Sequence, residues 1–271
     1  MTETSLENLV KEALNVLKIA KERFKRVYVT FSGGKDSLVA LDLSTRVFNP
    51  KEMKIIFNEV TGNTDKCNID YVYRIHEKYY NRYELLHLRP YMDFFEAMIK
   101  NGVPNIKARW CMNKYKIQPL RNILPPYYVM GIKKTDSNKR SQLYSSHIVK
   151  IEWEYKRVVI LPLLNWTTKD VLEYIRETGL ELSPCYQRYG HSGNCMFCPF
   201  HTKKQATLTL QDPYWRNKII TALKQIRSLH DDKNKSKFKK QMLRYWLNNL
   251  VLHNNKLDYY VEPIKKRGEG K

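Results

Sequence analysis

Long apolar runs are missing from this sequence: none approaches the ~18 residues that a membrane-spanning helix needs. The first residues, MTETSLENLVKEAL, carry acids and lack the apolar core of a secretory signal. We therefore expect a cytoplasmic chain that does not associate with a membrane. Internal repeats and low-complexity tracts are also missing, and 42% of the 271 residues are hydrophobic. That share is enough to bury a core, which disfavours wholesale disorder.

Acidic residues are scarce, since 27 Asp and Glu stand against 48 Lys and Arg and the formal net charge is +21. An excess of positive charge this large is informative about binding partners rather than about the fold, and it favours contact with nucleic acid, either tRNA or DNA. The competing interpretation is a lysine-rich surface without such a partner. Residues 201–271 hold 17 of the basic residues and only 6 of the acidic ones. Candidate phosphate contacts there are Lys235, Lys237, Lys239, Lys240 and Arg244.

Disulfide pairing is not indicated, because the five cysteines are odd in number and no secretion signal precedes them. Cys195 and Cys198 form a Cys-x-x-Cys pair, whose two thiolates can bind one metal ion or one cluster edge. With Cys185 and Cys111 they give four thiolates, which suit either a 4Fe–4S cluster or structural zinc. A redox dithiol and plain buried cysteines are the alternatives. Cys67 receives no role.

Strand and helix patterns alternate along the first two-thirds of the chain. Short β-rich runs lie at residues 27–31, 53–57, 85–88, 127–132 and 158–161. Helical patterns lie at 5–24, from the Gly33-Gly34 pair through Leu43, at 71–80, at 91–100 and at 167–178. This alternation predicts an α/β fold with a doubly wound, mostly parallel sheet. Ligands of such sheets bind beyond the carboxyl ends of the strands.

Composition shifts near Cys185, and we expect two domains. Residues 1–200 form the α/β nucleotide-binding domain, and residues 201–271 form a basic helical C-terminal region. In that region apolar residues recur at helical spacing: Phe238, Met242, Leu243, Trp246, Leu247 and Leu250.

A glycine-rich loop, Ser32-Gly33-Gly34-Lys35-Asp36-Ser37, joins the first predicted strand to the next helix. Its glycines permit a tight turn and let backbone N–H groups approach phosphate oxygens, towards which the helix N-terminus also directs partial positive charge. Lys35 adds a full charge, Asp36 can hold a metal ion such as Mg²⁺ or orient Lys35, and Ser32 and Ser37 offer hydroxyls. An ordinary strand-to-helix turn is the alternative. The loop is not GxxxxGK[ST]; it resembles the SGGxDS pyrophosphate loop of the adenine-nucleotide alpha-hydrolase superfamily, which implies ATP binding.

Together with later motifs, the loop resembles the phosphoadenosine phosphosulfate (PAPS) reductase family over roughly residues 25–200. The later motifs occur in family order: Asn58–Thr64, Arg109-Trp110-Cys111, Gly131-Ile132-Lys133, Asp136–Arg140, Pro162 with Trp166 and Asp170, and Cys195-Met196-Phe197-Cys198-Pro199.

The resemblance implies roles for particular residues. Thr61, Gly62 and Gly131 would border the adenosine of a bound nucleotide. Arg140 and Lys133 would meet phosphate or sulfate oxygens, a contact that suits a guanidinium group. Lys35, Asp36 and Arg140 are thus the candidate catalytic residues.

The sequence departs from the reductases in two places. Trp110-Cys111 stands where cluster-bearing reductases have a cysteine pair, so Cys185 is the candidate fourth ligand. No cysteine follows Cys198, so the cysteine with which reductases attack sulfur is not visible.

We therefore expect an ATP pyrophosphatase-type enzyme of nucleic-acid sulfur modification, with a sulfur-donor or reductant protein as a further partner. The alternatives are a sulfonucleotide (PAPS or APS) reductase and a nucleotide-sensing, nucleic-acid-binding module with structural zinc. The oligomeric state is open, and a homodimer is compatible with the sequence.

Overall fold

The computed structural model describes residues 5–105, 108–151 and 157–230. These residues form two compact units. The first contains residues 5–94, 109–151 and 157–196, and the second contains 95–105, 108 and 197–230. The boundary after residue 200 stays a prediction. The five tail residues from Lys235 to Arg244 and the apolar stripe from Phe238 to Leu250 lie outside the described residues.

The described residues contain six strands: β1 (Val27–Thr30), β2 (Met53–Asn58), β3 (Leu85–Leu88), β4 (Tyr127–Val129), β5 (Ile148–Ile151) and β6 (Arg157–Ile160). Their α-helices are α1 (Leu6–Arg23), α2 (Lys35–Thr45), α3 (Lys66–Tyr79), α4 (Phe94–Asn101), α5 (Trp110–Met112), α6 (Asn138–Leu143), α7 (Thr168–Thr178), α8 (Cys185–Tyr189), α9 (Lys203–Gln211) and α10 (Pro213–His230). Within the described ranges, none of these helices has the length and apolar character that crossing a bilayer requires.

The strands form one sheet in the order β3-β2-β1-β4-β6-β5. All neighbours are parallel except β5, which pairs antiparallel with β6 at the edge. The predicted doubly wound, mostly parallel fold is confirmed, and the five predicted strands occur as β1 to β4 and β6. The edge strand β5 was not predicted.

Burial on both faces explains why the central strands read as continuous apolar runs rather than alternating ones. Val27, Tyr28 and Val29 of β1 are all buried. Helix α1 begins at its N-cap Ser5 and buries the stripe that contains Ala13, Leu17 and Ala20. The helical spacing of these residues thus places one face of α1 in the core.

The second unit has its own apolar contacts. The rings of Phe95 and Phe197 meet edge-to-face with centroids 6.3 Å apart, and Trp215 is 3% exposed. On α10, Ile219, Leu223 and Ile226 follow at helical spacing and are buried.

Candidate functional site

The glycine-rich loop lies at the point where the direction of strand order reverses. From β1 the chain proceeds to β2 on one side, and β4 later joins β1 on the other side. The loop Ser32–Ser37 follows β1, and Gly131 follows β4, so both lie at the carboxyl ends of adjacent strands. In open α/β sheets this is where ligands bind.

Gly33 is required by the shape of the loop. Its φ is +78°, a left-handed conformation that L-residues other than glycine adopt at a cost. A Cβ at this position would lie 1.9 Å from Oδ1 of Asn68, a fully buried side chain on α3. Asn68 also donates through Nδ2 to the carbonyl of Ser32 at 3.2 Å. Backbone conformation and space both exclude a side chain at residue 33.

The two serines close the loop on itself. The Ser37 hydroxyl donates to the Gly34 carbonyl at 2.8 Å and accepts the N–H of Ser32 at 3.2 Å. The hydroxyl oxygens of Ser32 and Ser37 are also 3.2 Å apart. In this structure these hydroxyls therefore help to shape the cradle for the expected anion.

The N-cap of helix α2 is Gly34, which belongs to the loop and has no side chain that could cap the helix. The positive end of the helix dipole therefore lies at the loop, where an anion would be stabilised. The N–H of Lys35 donates to the hydroxyl of Tyr186 at 3.0 Å. Burial raises the pKa of Tyr186 to about 12, so this hydroxyl stays neutral at physiological pH.

Five charged residues form an alternating chain along the loop. Nζ of Lys35 lies 2.7 Å from Oδ2 of Asp36, whose Oδ1 contacts Nζ of Lys133. Lys133 also reaches Oδ1 of Asp136 at 2.9 Å, and Asp136 contacts Arg140. The structure thus brings together Lys35, Asp36, Lys133 and Arg140, which the sequence had assigned to one site from two distant segments.

Lys133 is the buried member of this chain, with a side chain that is 0% exposed against 24% for Asp136. Burial works to raise the pKa of Asp136, but the hydrogen bond and charge of Lys133 outweigh it and hold that pKa below its ordinary value. Asp136 is therefore ionised at neutral pH, and Lys133 is neutralised by two carboxylates.

Gly131 brings the end of β4 directly against the first turn of α2. A Cβ on Gly131 would lie 2.4 Å from the backbone oxygen of Asp36 and 2.8 Å from the nitrogen of Ser37. Any side chain at residue 131 would therefore displace the first turn of α2 and with it the glycine-rich loop. Gly131 was expected to border adenosine; in the structure it contacts the first turn of α2, and its place beside adenosine stays a prediction.

Thr61 and Gly62 lie in the turn after β2, which is packed against the segment after β3. The Thr61 hydroxyl donates to the Pro90 carbonyl at 2.6 Å, and Gly62 faces the carboxylate of Asp93. Their predicted place beside adenosine stays a prediction.

The cysteines fall into separate neighbourhoods. Burial, and secondarily the thiol of Cys195, raises the pKa of Cys111, so these two predicted ligands are neighbours in the first unit. Cys185 lies against Cys67 and Asp65, with the three potential ligand atoms within 4.8 Å of one another. Cys198 belongs to the second unit. The four-cysteine ligand set stays a prediction.

Comparison with known proteins shows the family to which the chain belongs. A family model described as the phosphoadenosine phosphosulfate reductase domain matches residues 26–201. The chain belongs to this family. An adenosine 5'-phosphosulfate reductase of Bacillus pumilus is 26% identical over 211 residues, which cover 76% of this chain and 85% of that protein.

An uncharacterised protein of Methanocaldococcus jannaschii is 28% identical over 205 residues, or 72% of this chain and 47% of that protein. This chain thus spans about half the length of that archaeal relative. A second uncharacterised protein of the same organism is matched over 40% of its length. The crystal structure of a PAPS reductase from Candida auris in a phosphate complex aligns with a TM-score of 0.49 at 19% identity, covering 69% of this chain and 93% of that one.

Tyr186 is the site residue that the sequence did not indicate. It lies in the five-residue helix α8, far along the chain from the loop whose Lys35 amide it contacts. A tyrosine next to a cysteine carries no local signal of such a contact.

Replacing Lys133 by methionine should destabilise the fold by about 3 kcal/mol, because it removes the buried ammonium that contacts both Asp36 and Asp136. The partners Asp36 and Asp136 are about a quarter exposed, at 23% and 24%, which limits the effect. Urea unfolding measures it. Lys134→Met is the matched control, since the Lys134 ammonium makes a 3.4 Å contact with the neutral side chain of Asn165. Equal stability of the two variants would contradict the buried-ion-pair assignment.

Removing the hydroxyl in Tyr186→Phe should cost about 1–2 kcal/mol, because the Lys35 amide loses its acceptor in a partly buried setting. Thermal unfolding compares this variant with Tyr214→Phe, whose parent side chain is 61% exposed and should be neutral. No difference between them would show that water replaces the hydroxyl without loss.

Proposed function

We propose that this chain binds ATP with its pyrophosphate on Ser32–Ser37 and adenylates a nucleic-acid substrate for sulfur modification. The observation that carries the proposal is the glycine-rich helix N-terminus at the reversal of strand order, with Lys35 and the Lys133–Asp136–Arg140 chain beside it. Backbone amides, a helix dipole and an ammonium group converge there, and all three attract a polyphosphate.

In the proposed reaction a substrate oxygen attacks the α-phosphorus of ATP. A new oxygen–phosphorus bond forms, the bond to the bridging oxygen of pyrophosphate breaks, and the substrate hydroxyl proton leaves to solvent. The amides of the loop and Lys35 stabilise the negative charge that develops on the departing pyrophosphate. Positioning and charge stabilisation are thus the contributions of these residues.

Mg²⁺ fits beside Asp36. A carboxylate has about four lone-pair positions, and the contacts of Asp36 with Lys35 and Lys133 leave capacity for a cation. Lys35 is 18% exposed and long enough to turn from Asp36 towards a bound phosphate. The metal, when bound, supplies charge neutralisation between phosphate oxygens.

Arg140 is proposed to bind phosphate or sulfate oxygens of the nucleotide or of its substrate. Its side chain is 44% exposed and is oriented by Asp136, which is itself fixed by the buried Lys133. A guanidinium held in this way can form paired hydrogen bonds with phosphate or sulfate oxygens.

A metal group would be held by the thiols of Cys111, Cys195 and Cys198, whereas Cys185, the fourth ligand predicted from the sequence, lies against Cys67 and Asp65 instead. Cys111 and Cys195 are neighbours in the structure, and a thiolate set suits a 4Fe–4S cluster, with zinc as the alternative. A cluster, when bound, supplies sulfur or electron chemistry. The net charge of +21 supports tRNA or DNA as the substrate, with a sulfur-donor or reductant protein as a further partner.

Reduction of a sulfonucleotide is the second candidate. It is favoured by the relatives named adenosine 5'-phosphosulfate reductases, of which the Bacillus pumilus protein is matched over 85% of its length. The same loop would then hold the phosphates of APS or PAPS.

The two candidates differ in their products. The full chain, purified without oxygen, is incubated with Mg-ATP and either tRNA or DNA, and separately with APS or PAPS and a thiol reductant. We expect pyrophosphate from ATP in the presence of nucleic acid. Lys35→Met should lower its rate by about 10²–10³-fold, the typical effect of removing one charge-stabilising group.

Lys51→Met is the matched control, because Lys51 is exposed and precedes β2, at the amino ends of the parallel strands, whereas the loop follows the carboxyl end of β1. Its rate should equal that of the unchanged chain. Sulfite from APS or PAPS without pyrophosphate from ATP would favour the reductase. Neither product, with ATP bound tightly, would favour a nucleotide-sensing module.

A further inference from the structure

A cluster of two thiols and one carboxylate lies behind the phosphate loop. Asp65 and Cys67 stand at the start of α3, and Cys185 opens α8. One potential ligand atom from each lies within 4.8 Å of the other two. Asp65 is 6% exposed, Cys185 is 0% exposed and Cys67 is partly exposed, so the cluster is buried with one side near solvent.

The surrounding backbone fixes the carboxylate. Asp65 is the N-cap of α3, and its Oδ1 accepts the N–H of Cys67 at 2.8 Å. Its Oδ2 accepts the hydroxyl of Tyr189 at 3.1 Å, and its own N–H donates to the Gly193 carbonyl at 2.8 Å. The start of α3 and the segment from α8 to Gly193 are therefore bound together at this residue.

Gly193 leaves room for the buried sulfur of Cys185. Gly193 has a φ of +80°, and a Cβ there would lie 2.7 Å from Sγ of Cys185. The sulfurs of Cys185 and Cys67 lie within 4.8 Å of each other. The chain thus reserves a site for the Cys185 sulfur next to a second sulfur and a carboxylate.

We propose that Asp65, Cys67 and Cys185 bind a zinc ion. Two sulfurs and one carboxylate oxygen are zinc ligands, whereas Mg²⁺ and Ca²⁺ bind through oxygen. Zinc–sulfur bonds of about 2.3 Å in a tetrahedron place ligand atoms about 3.8 Å apart, so the cluster closes on the ion with small movements. Zinc replaces the two thiol protons, which are released to solvent. A water molecule takes the fourth position on the side where Cys67 is exposed.

The zinc ion would brace the phosphate loop from behind. Cys185 precedes Tyr186, whose hydroxyl accepts the Lys35 amide, and Cys67 precedes Asn68, which contacts the loop at Ser32. Joining α8 to α3 through zinc therefore fixes two of the contacts that shape the loop. This role does not require the proposed adenylation, so it stands or falls separately.

The test uses the full chain carrying Cys111→Ser, Cys195→Ser and Cys198→Ser, which removes the other thiols. After chelation under reducing conditions, Co²⁺ is titrated as a spectroscopic probe and then displaced by Zn²⁺. We expect one Co²⁺ per chain with thiolate-to-metal absorption, and release of two protons. Adding Cys67→Ser should weaken binding by more than about 100-fold, since even outer-shell partners of a ligand contribute about 10–100-fold.

Cys67 is partly exposed, so its replacement by serine should leave the fold intact, which circular dichroism checks even where Cys185→Ser fails to fold. Asp70→Asn, at an exposed carboxylate of the same helix, is the matched control for Asp65→Asn and should not change binding. In the unchanged chain, Zn²⁺ should protect Cys67 from alkylation. No thiolate absorption in the triple variant would overturn the proposal. The proposal would also be overturned if the thiols of Cys67 and Cys185 became titratable only after reduction, because the two residues would then form a disulfide instead.

Discussion

The buried ammonium of Lys133 is the interaction on which the candidate site depends. It lies between the carboxylates of Asp36 and Asp136 and is removed from solvent. A charge in that position costs several kcal/mol unless it is paired, so the two segments that carry the aspartates must come together for the chain to fold. One of them is the glycine-rich loop after β1, and the other follows β4. Folding therefore assembles the loop and Arg140 into one site before any ligand is present.

Close backbone contact at Gly131 has the same consequence by a different mechanism. Because residue 131 has no side chain, β4 ends directly on the main chain of Asp36, and the loop is held by packing as well as by charge. An anion bound at the loop, as proposed, would meet donors whose positions are already fixed. Preorganisation of this kind is the main source of electrostatic stabilisation in enzyme sites.

Local signals in the sequence were enough to predict the sheet and the loop. β1 is an apolar run followed by two glycines and a helix, and each of these features depends only on neighbouring residues. The edge strand β5 was missed because pairing antiparallel with β6 is a property of the whole sheet. The start of α3 was also missed: the apolar pattern begins near Tyr71, whereas the helix begins at Lys66 behind its cap, Asp65. That cap residue was the available signal.

Long-range contacts account for the rest of what the sequence did not indicate. A lysine in a loop is normally solvated, and nothing near Lys133 marks it as buried; only its two distant carboxylates make burial tolerable. Tyr186 and Cys67 similarly acquire their surroundings from segments far along the chain. The family resemblance predicted that Lys133 contacts phosphate or sulfate oxygens, but it did not reveal these burial relations.

Asn68 shows how closely these features are coupled. Its amide nitrogen donates to the Ser32 carbonyl, and its Oδ1 has no hydrogen-bond partner among residues 5–105, 108–151 and 157–230. That oxygen occupies the space that a Cβ of residue 33 would fill. The Cβ of Asn68 borders Gly193, which lies next to Cys185. One buried side chain thus contacts the glycine-rich loop on one side and borders Gly193, next to Cys185, on the other. In a close-packed interior, the two neighbourhoods therefore constrain the position of the same side chain.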